Sequence, residues 1–373
     1  MRAALYGKGG LMRKTYEYLE RSGVENLGVL EDRVEDLVLS EGYPGGRRAD
    51  ESTMDPDDAV ILVAENAWLS YAVKRLCAAG FERICYLPYY YEEEGYGISD
   101  DSFVWIDSTL PRLEYIEYHV AWNCNLKCKG CTHFSNILEK EIYGDFDQFC
   151  KDMQRLQELF WGIYKIRLMG GEPLLNPQLA HFVAAARSAF PDADIRVVSN
   201  GLLLREDMED VLDTMAACDA GFDVSMYPPT RHAIRRVDEI CRKHGVKLFV
   251  TPEVNEFRAF LDFDGGQKPE EVYPACPARH CAFLGAGVIS TCSMPQLIPI
   301  LNERYSCGIP VDPGDIIDLY EEGLDGEELL KRLRRPMAFC RFCAKEQRSF
   351  KWEPAGPEKA ALADWKKQDQ SFL

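Results

Sequence analysis

An α/β architecture built from parallel βαβ units is what this chain predicts, and three observations carry it. Short strand-like stretches alternate with longer helix-like ones through residues 111–260. Tyr164–Met169 places apolar residues at alternating positions, as a half-buried strand does. The glycine-rich and polar motifs fall at the carboxyl ends of those strands, where sites in such sheets gather. With 373 residues the chain has room for two or three domains.

Residues 1–110 read as a small Rossmann-like unit. Ala3-Ala4-Leu5-Tyr6 is a short apolar strand that meets Gly7-Lys8-Gly9-Gly10 and then a helix to Arg21. Leu27–Leu30 is a second strand ending at Glu31-Asp32. Val60–Val63 and Arg83–Leu87 are further strands, with a helix at Leu69–Ala79 between them. A glycine turn opening a helix can hold a pyrophosphate, and an acidic residue after the second strand can hold a ribose. Gly7-x-Gly9-x-x-Met12 lacks the third glycine of that fingerprint. The unit resembles small nucleotide-sugar-binding domains of surface-polysaccharide enzymes. A structural or partner-docking role suits the same residues.

Residues 88–110, with the run YYYEEEGYG, read as a linker. The strand Tyr115–Trp122 follows. Helices at Phe146–Trp161, Asn176–Phe190, Arg205–Ala217 and Arg231–His244 then alternate with strands at Tyr164–Met169, Asp194–Ser199, Ala220–Met226 and Val246–Val250.

The run CNLKCKGC sets Cys124, Cys128 and Cys131 on one loop directly after a strand. Three thiolates can hold three irons of a [4Fe–4S] cluster and leave the fourth open. A structural zinc site wants four protein ligands, and His133 is the candidate fourth in that alternative. No further Cys follows until Cys150. The run resembles the signature of the radical S-adenosylmethionine (SAM) enzymes. That resemblance implies an incomplete (β/α)6 barrel over residues 111–260. It also implies that the open iron binds SAM, whose reductive cleavage yields a 5′-deoxyadenosyl radical that takes a hydrogen atom from the substrate. One departure stands out: the family commonly has an aromatic residue before the third Cys, and here it is Gly130.

Gly170-Gly171-Glu172-Pro173 is the second mark of that family, and the resemblance assigns it to the SAM amino group. Asn200 and Ser225 match positions that often contact the SAM ribose or carboxylate, with an ordinary polar strand terminus as the other reading of Ser225, and Ser199 beside Asn200 is taken as cofactor-binding with them. The third constellation lies in residues 261–350. Cys276-x10-Gly287-x4-Cys292 precedes Cys340-x2-Cys343. It resembles the shorter "twitch" relative of the SPASM module, which implies one auxiliary [4Fe–4S] cluster on Cys276, Cys292, Cys340 and Cys343. Cys281 could replace Cys276 as a ligand, be a buried inert thiol, or donate a hydrogen atom to a substrate radical. Cys77, Cys85, Cys150, Cys218, Cys241 and Cys307 read as incidental. Residues 351–373 form a tail expected to cap the auxiliary module or lie on the surface.

Fourteen cysteines without a signal-like start read as metal sites in a cytoplasmic protein rather than as disulfides. No run is long and apolar enough to span a membrane. The formal charge of −18 argues against a nucleic-acid partner. The resemblance to radical SAM enzymes with a twitch module implies oxidation or epimerisation of a carbohydrate, polyol or nucleotide-sugar-linked substrate, with a flavodoxin or ferredoxin as reductant. Maturation of a ribosomal peptide or protein side chain is the second reading, and a non-catalytic metal-binding protein the third.

Overall fold

The computed structural model describes residues 2–7, 10–30, 49, 53–55, 57–63, 66–88 and 97–367. The Lys8-Gly9 turn, Glu31-Asp32 and residues 89–96 lie outside the described residues, and with them the pyrophosphate and ribose expectations. The chain forms two compact units: residues 1–112 with 160–164, and residues 113–159 with 165–373.

In the first unit, β1 (Arg2–Gly7), α1 (Gly10–Ser22), β2 (Glu25–Leu30), β3 (Ala59–Val63), α2 (Asn66–Ala78), β4 (Ile84–Tyr86) and β5 (Val104–Trp105) follow in order. They build one sheet with the order β2-β1-β3-β4-β5. The first four strands are parallel, and β5 runs antiparallel to β4. Helices cover both faces, so β3 (AVILV) is buried along its whole length instead of alternating. Ala4, Tyr6, Val60 and Leu62 pack with Leu69 and Leu76 of α2. Their strand neighbours Ala3, Leu5, Ala59 and Ile61 pack with Met12 and Leu19 of α1 on the other face. A Cβ on Gly7 would lie 1.8 Å from the Val63 carbonyl oxygen, at a φ of +149°. The passing strand β3 is reason enough for that glycine.

The second unit opens with β6 (Arg112–Ala121), α3 (Phe146–Leu159), β7 (Gly162–Gly170), α4 (Leu179–Ala189), β8 (Asp194–Ser199), α5 (Glu209–Ala217), β9 (Gly221–Val224), α6 (Ile234–His244) and β10 (Leu248–Val250). It continues with β11 (Glu256–Leu261), α7 (Pro269–Val272), β12 (Ala282–Gly285), β13 (Val288–Ser290), α8 (Met294–Tyr305), β14 (Ile317–Asp318), α9 (Gly326–Leu333) and β15 (Cys343–Lys351). The sheet order is β10-β9-β8-β7-β6-β12-β13-β14. Strands β6 to β10 lie side by side in chain order, as successive βα units give, and the sheet stays open. β12 joins the free edge of β6 in parallel, and β13 and β14 extend it antiparallel. β11 leaves this sheet and pairs antiparallel with β15.

The expected helices are present, and α3 begins at Phe146 as its pattern predicts, but α4, α5 and α6 begin later than theirs. Before α4, Asn176 gives its amide to the Val120 carbonyl at 2.6 Å and accepts from the Gln178 N–H at 2.7 Å. Those bonds hold Asn176 in a turn, out of the helix. Before α6, Pro228-Pro229 set a 3-10 turn over Pro228–His232.

The tail packs on the module of residues 261–350, as one of the two expectations had it, with Trp365 in one core with Leu297, Phe339 and Phe342 and the Tyr305 hydroxyl donating to the Ala360 carbonyl. It also packs on the Cys124–Cys131 loop, which was not expected. Lys129 N–H donates to the Glu353 carbonyl, and Ala355 N–H to the Lys127 carbonyl. Trp365 is fully buried against Phe134.

Candidate functional site

Strand β6 delivers the chain into the cysteine loop. Lys127, Gly130 and Phe134 all adopt positive φ there, which coils the loop tightly. Cys124, Cys128 and Cys131 border one cavity of about 120 Å³, together with Gly170, Gly171 and Asn200. Burial pushes the Cys124 thiol up to about 12, helped by the nearby Glu172 and Cys131 charges. Burial likewise raises Cys128 and Cys131. Bare thiolates are therefore disfavoured, and iron would supply the missing positive charge. Donors already point at two of the sulfurs. The Leu126 N–H reaches Cys124 Sγ at 3.4 Å, and the Trp352 indole N–H reaches Cys128 Sγ at 3.1 Å. Such donors suit metal-bound thiolates, so the residues fit the expected cluster.

Among the described residues, no three His, Cys, Asp or Glu side chains are arranged to hold a single metal ion. His133 borders the cysteine cavity, and its Nδ1 meets His119 Nε2 at 2.7 Å. Burial lowers the pKa of both rings.

The GGEP segment shows a division of labour that the motif alone does not reveal. A Cβ on Gly170 would sit 1.9 Å from the Ala121 carbonyl oxygen, and one on Gly171 would sit 2.1 Å from that of Asn123. The glycines admit the end of β6, and the Gly171 and Glu172 N–H groups bond to those two carbonyls. Gly170 and Gly171 line the cavity; Glu172 and Pro173 do not. Glu172 is fully buried behind it. Its carboxylate accepts from Ser199 Oγ at 2.7 Å, Asn200 N–H at 3.0 Å and Leu174 N–H at 3.2 Å. Burial outweighs these bonds and raises its pKa to about 7. Glu172 thus ties GGEP to Ser199-Asn200 and acts from the second layer. Ser199, Asn200 and Ser225 line the cavity as expected, and the Asn200 amide holds Asn125 at 2.8 Å.

The sheet has a polar side. Tyr118 packs on Phe149 and Phe182 of α3 and α4. Alternation therefore turns Tyr115, Glu117 and His119 to the opposite face. Arg167 on β7 reaches Asp223 at the end of β9 at 2.6 Å, and Arg196 on β8 reaches the same carboxylate at 3.6 Å. Cys281, just before β12, joins this group, with Glu117 and Arg167 near enough to act on its thiol. Burial first, then Glu117, pushes Cys281 up to about 12. Sequence reasoning missed Tyr115, Glu117, Arg167 and Asp223. The alternation Tyr-x-Glu-x-His along β6 was the available signal.

The remaining cysteines gather separately. Cys292 is half-buried, and its thiol is raised well above 9 by desolvation, then by the charges of Cys343, Cys340 and Cys276. Cys340 and Cys343 also feel Cys276. Cys307 is occupied elsewhere, with its sulfur 3.1 Å from Asn302 Oδ1.

Residues 120–250 match the family model of the Radical SAM superfamily. The GTP 3′,8-cyclase of Nautilia profundicola is 36% identical over 109 residues, 27% of this chain and 32% of that protein. The GTP 3′,8-cyclase of Campylobacter lari is 27% identical over 225 residues, 54% of this chain and 66% of that protein. The chain thus spans between a third and two thirds of the length of these curated relatives. A crystal structure of BtrN with AdoMet and 2-DOIA aligns at 18% identity and a TM-score of 0.39, covering 62% of this chain and 92% of that one. Residues 120–250 thus carry a radical SAM domain. Members of that family bind a [4Fe–4S] cluster and S-adenosylmethionine. Among the described residues, no helix is long and apolar enough to cross a membrane.

Proposed function

We propose that this protein is a cytoplasmic radical SAM oxidoreductase or epimerase acting on a hydroxyl-bearing small molecule of the carbohydrate, polyol or nucleotide-sugar kind. Cys124, Cys128 and Cys131 would hold the catalytic cluster, and Cys276, Cys292, Cys340 and Cys343 an auxiliary one. When bound, these clusters and SAM supply the hydrogen-abstracting radical and a place for a second electron. Gly170, Gly171, Ser199, Asn200 and Ser225 would orient SAM.

The observation that carries the reading is the Cys281 thiol brought beside Glu117 on a charged sheet face where β12 joins β6. Tyr115, Glu117 and Arg167 offer donors and acceptors for hydroxyls in a half-buried setting, with Asp223 buried behind Arg167. The Cys281 thiol, held protonated beside a carboxylate, is in the form that can give a hydrogen atom to a carbon radical. Restoring it takes one proton, which Glu117 can pass, and one electron from a flavodoxin or ferredoxin reductant. In a dehydrogenase Cys281 would stand idle, and Glu117 would accept the hydroxyl proton.

The test is a substrate screen in deuterated water with nucleotide sugars, aminocyclitols, peptides and GTP, the last because it is the substrate in the relatives' names. Substrate hydrogen should appear in 5′-deoxyadenosine. Solvent deuterium at the reacting carbon marks epimerisation, and its absence from a carbonyl product marks oxidation. Turnover of peptides alone would reject the reading.

A further inference from the structure

We infer that the C-terminal segment is part of the catalytic cluster site and that Trp352 is a positioning residue that sets the cluster's reduction potential. The inference rests on the proposed ligation of iron by Cys128. The indole N–H of Trp352 donates to Cys128 Sγ at 3.1 Å. Cys128 is only 7% exposed, so water does not compete freely for that sulfur.

The tail is held against the loop on both sides of this bond. Cys128 forms an isolated bridge with Pro354, and the Asn136 amide donates to the Ala355 carbonyl at 2.9 Å. The Trp365 indole donates to the Cys131 carbonyl at 2.8 Å. Gly130 belongs to the same arrangement. Its φ is +61°, and a Cβ there would lie 2.6 Å from the Phe350 ring and 2.8 Å from the Asp364 carbonyl oxygen. The motif gives up its aromatic residue at Gly130, and the end of β15 lays Phe350 over the same spot. Glycine is needed for that approach.

A hydrogen bond to a cluster thiolate favours the reduced cluster, which carries one more negative charge. Removing the donor makes reduction harder. We expect Trp352→Phe, which keeps an aromatic ring, to shift the one-electron reduction equilibrium about tenfold toward the oxidised form, about 59 mV.

The experiment is an anaerobic redox titration of the full reconstituted chain followed by EPR. The signal tracked is the one that changes when SAM is added; a signal indifferent to SAM serves as internal reference. The expected result is a lowered potential for the SAM-responsive signal, with iron content as in the unsubstituted protein. An unchanged potential at normal iron content overturns the inference and leaves the cluster assignment standing. Should Trp352→Phe lose its iron, the unsubstituted protein labelled with 15N-indole tryptophan decides. Coupling of that nitrogen to the reduced cluster supports the bond, and its absence refutes it. A protein with no SAM-responsive signal overturns the cluster assignment and this inference together.

Discussion

Glu172 should make the stability of this protein fall as pH rises, and Glu172→Gln should remove that dependence. The carboxyl is fully buried, and desolvation lifts its pKa from 4.5 to about 7. A group raised in the folded state binds its proton more tightly there than in the unfolded chain. Its contribution is therefore full below pH 4.5 and is lost as pH climbs through 7. At about 1.4 kcal/mol per pH unit, the change is ~3 kcal/mol. Glutamine cannot ionise, and its NH2 group must face one of the donors Ser199 Oγ, Asn200 N–H or Leu174 N–H. That mismatch costs about 1–3 kcal/mol at every pH. The variant should be the weaker protein at about pH 5 and should draw level or pass the parent by about pH 8. Urea unfolding of both metal-free proteins under anaerobic conditions, at pH steps across that range, measures the difference. The other carboxyls titrate alike in both chains and cancel. A difference constant to within about 0.5 kcal/mol would refute the buried, proton-holding Glu172.

Three further outcomes follow from the same geometry. Gly171→Ala drives a methyl into the Asn123 carbonyl, so it should destabilise the second unit by about 1–3 kcal/mol or more; an unchanged melting temperature would contradict the close approach of β6 and GGEP. Cys340→Ala or Cys343→Ala should lower iron by about one cluster of four while SAM cleavage continues without substrate turnover, and an unchanged iron count would dismiss the auxiliary cluster. Cys281→Ser replaces a weak S–H bond by a strong O–H bond. It should leave iron content alone and stop deuterium delivery to an epimerised product, so normal product would reject the donor role.

The parts of this fold that were legible in the sequence are those governed by local pattern. The strand Asp194–Ser199 keeps its predicted limits, and CNLKCKGC and GGEP fall at strand ends as expected. Glycine spacing announced close approach at Gly170 and Gly171, yet only the structure shows that the approaching chain is β6. The late helix starts at α4 and α6 depend on Asn176 and Pro228-Pro229, whose local turns override helical periodicity. Long-range pairing was out of reach. Nothing near Trp352 in sequence points to Cys128, 224 residues away. Glu117 and Cys281 likewise meet only because β12 returns to the edge of β6. Burial of Glu172 also had no sequence signal, since an acidic residue in a turn usually faces water.

The central claim is that Cys124, Cys128 and Cys131 hold a SAM-cleaving cluster. The most direct test is anaerobic reconstitution with iron and sulfide counted per chain and 5′-deoxyadenosine read from the same sample with SAM and dithionite. The account predicts about eight irons with 5′-deoxyadenosine formed, and loss of that product in Cys124→Ala, Cys128→Ala and Cys131→Ala. Zinc in place of iron, or full cleavage by any one of those variants, would contradict it.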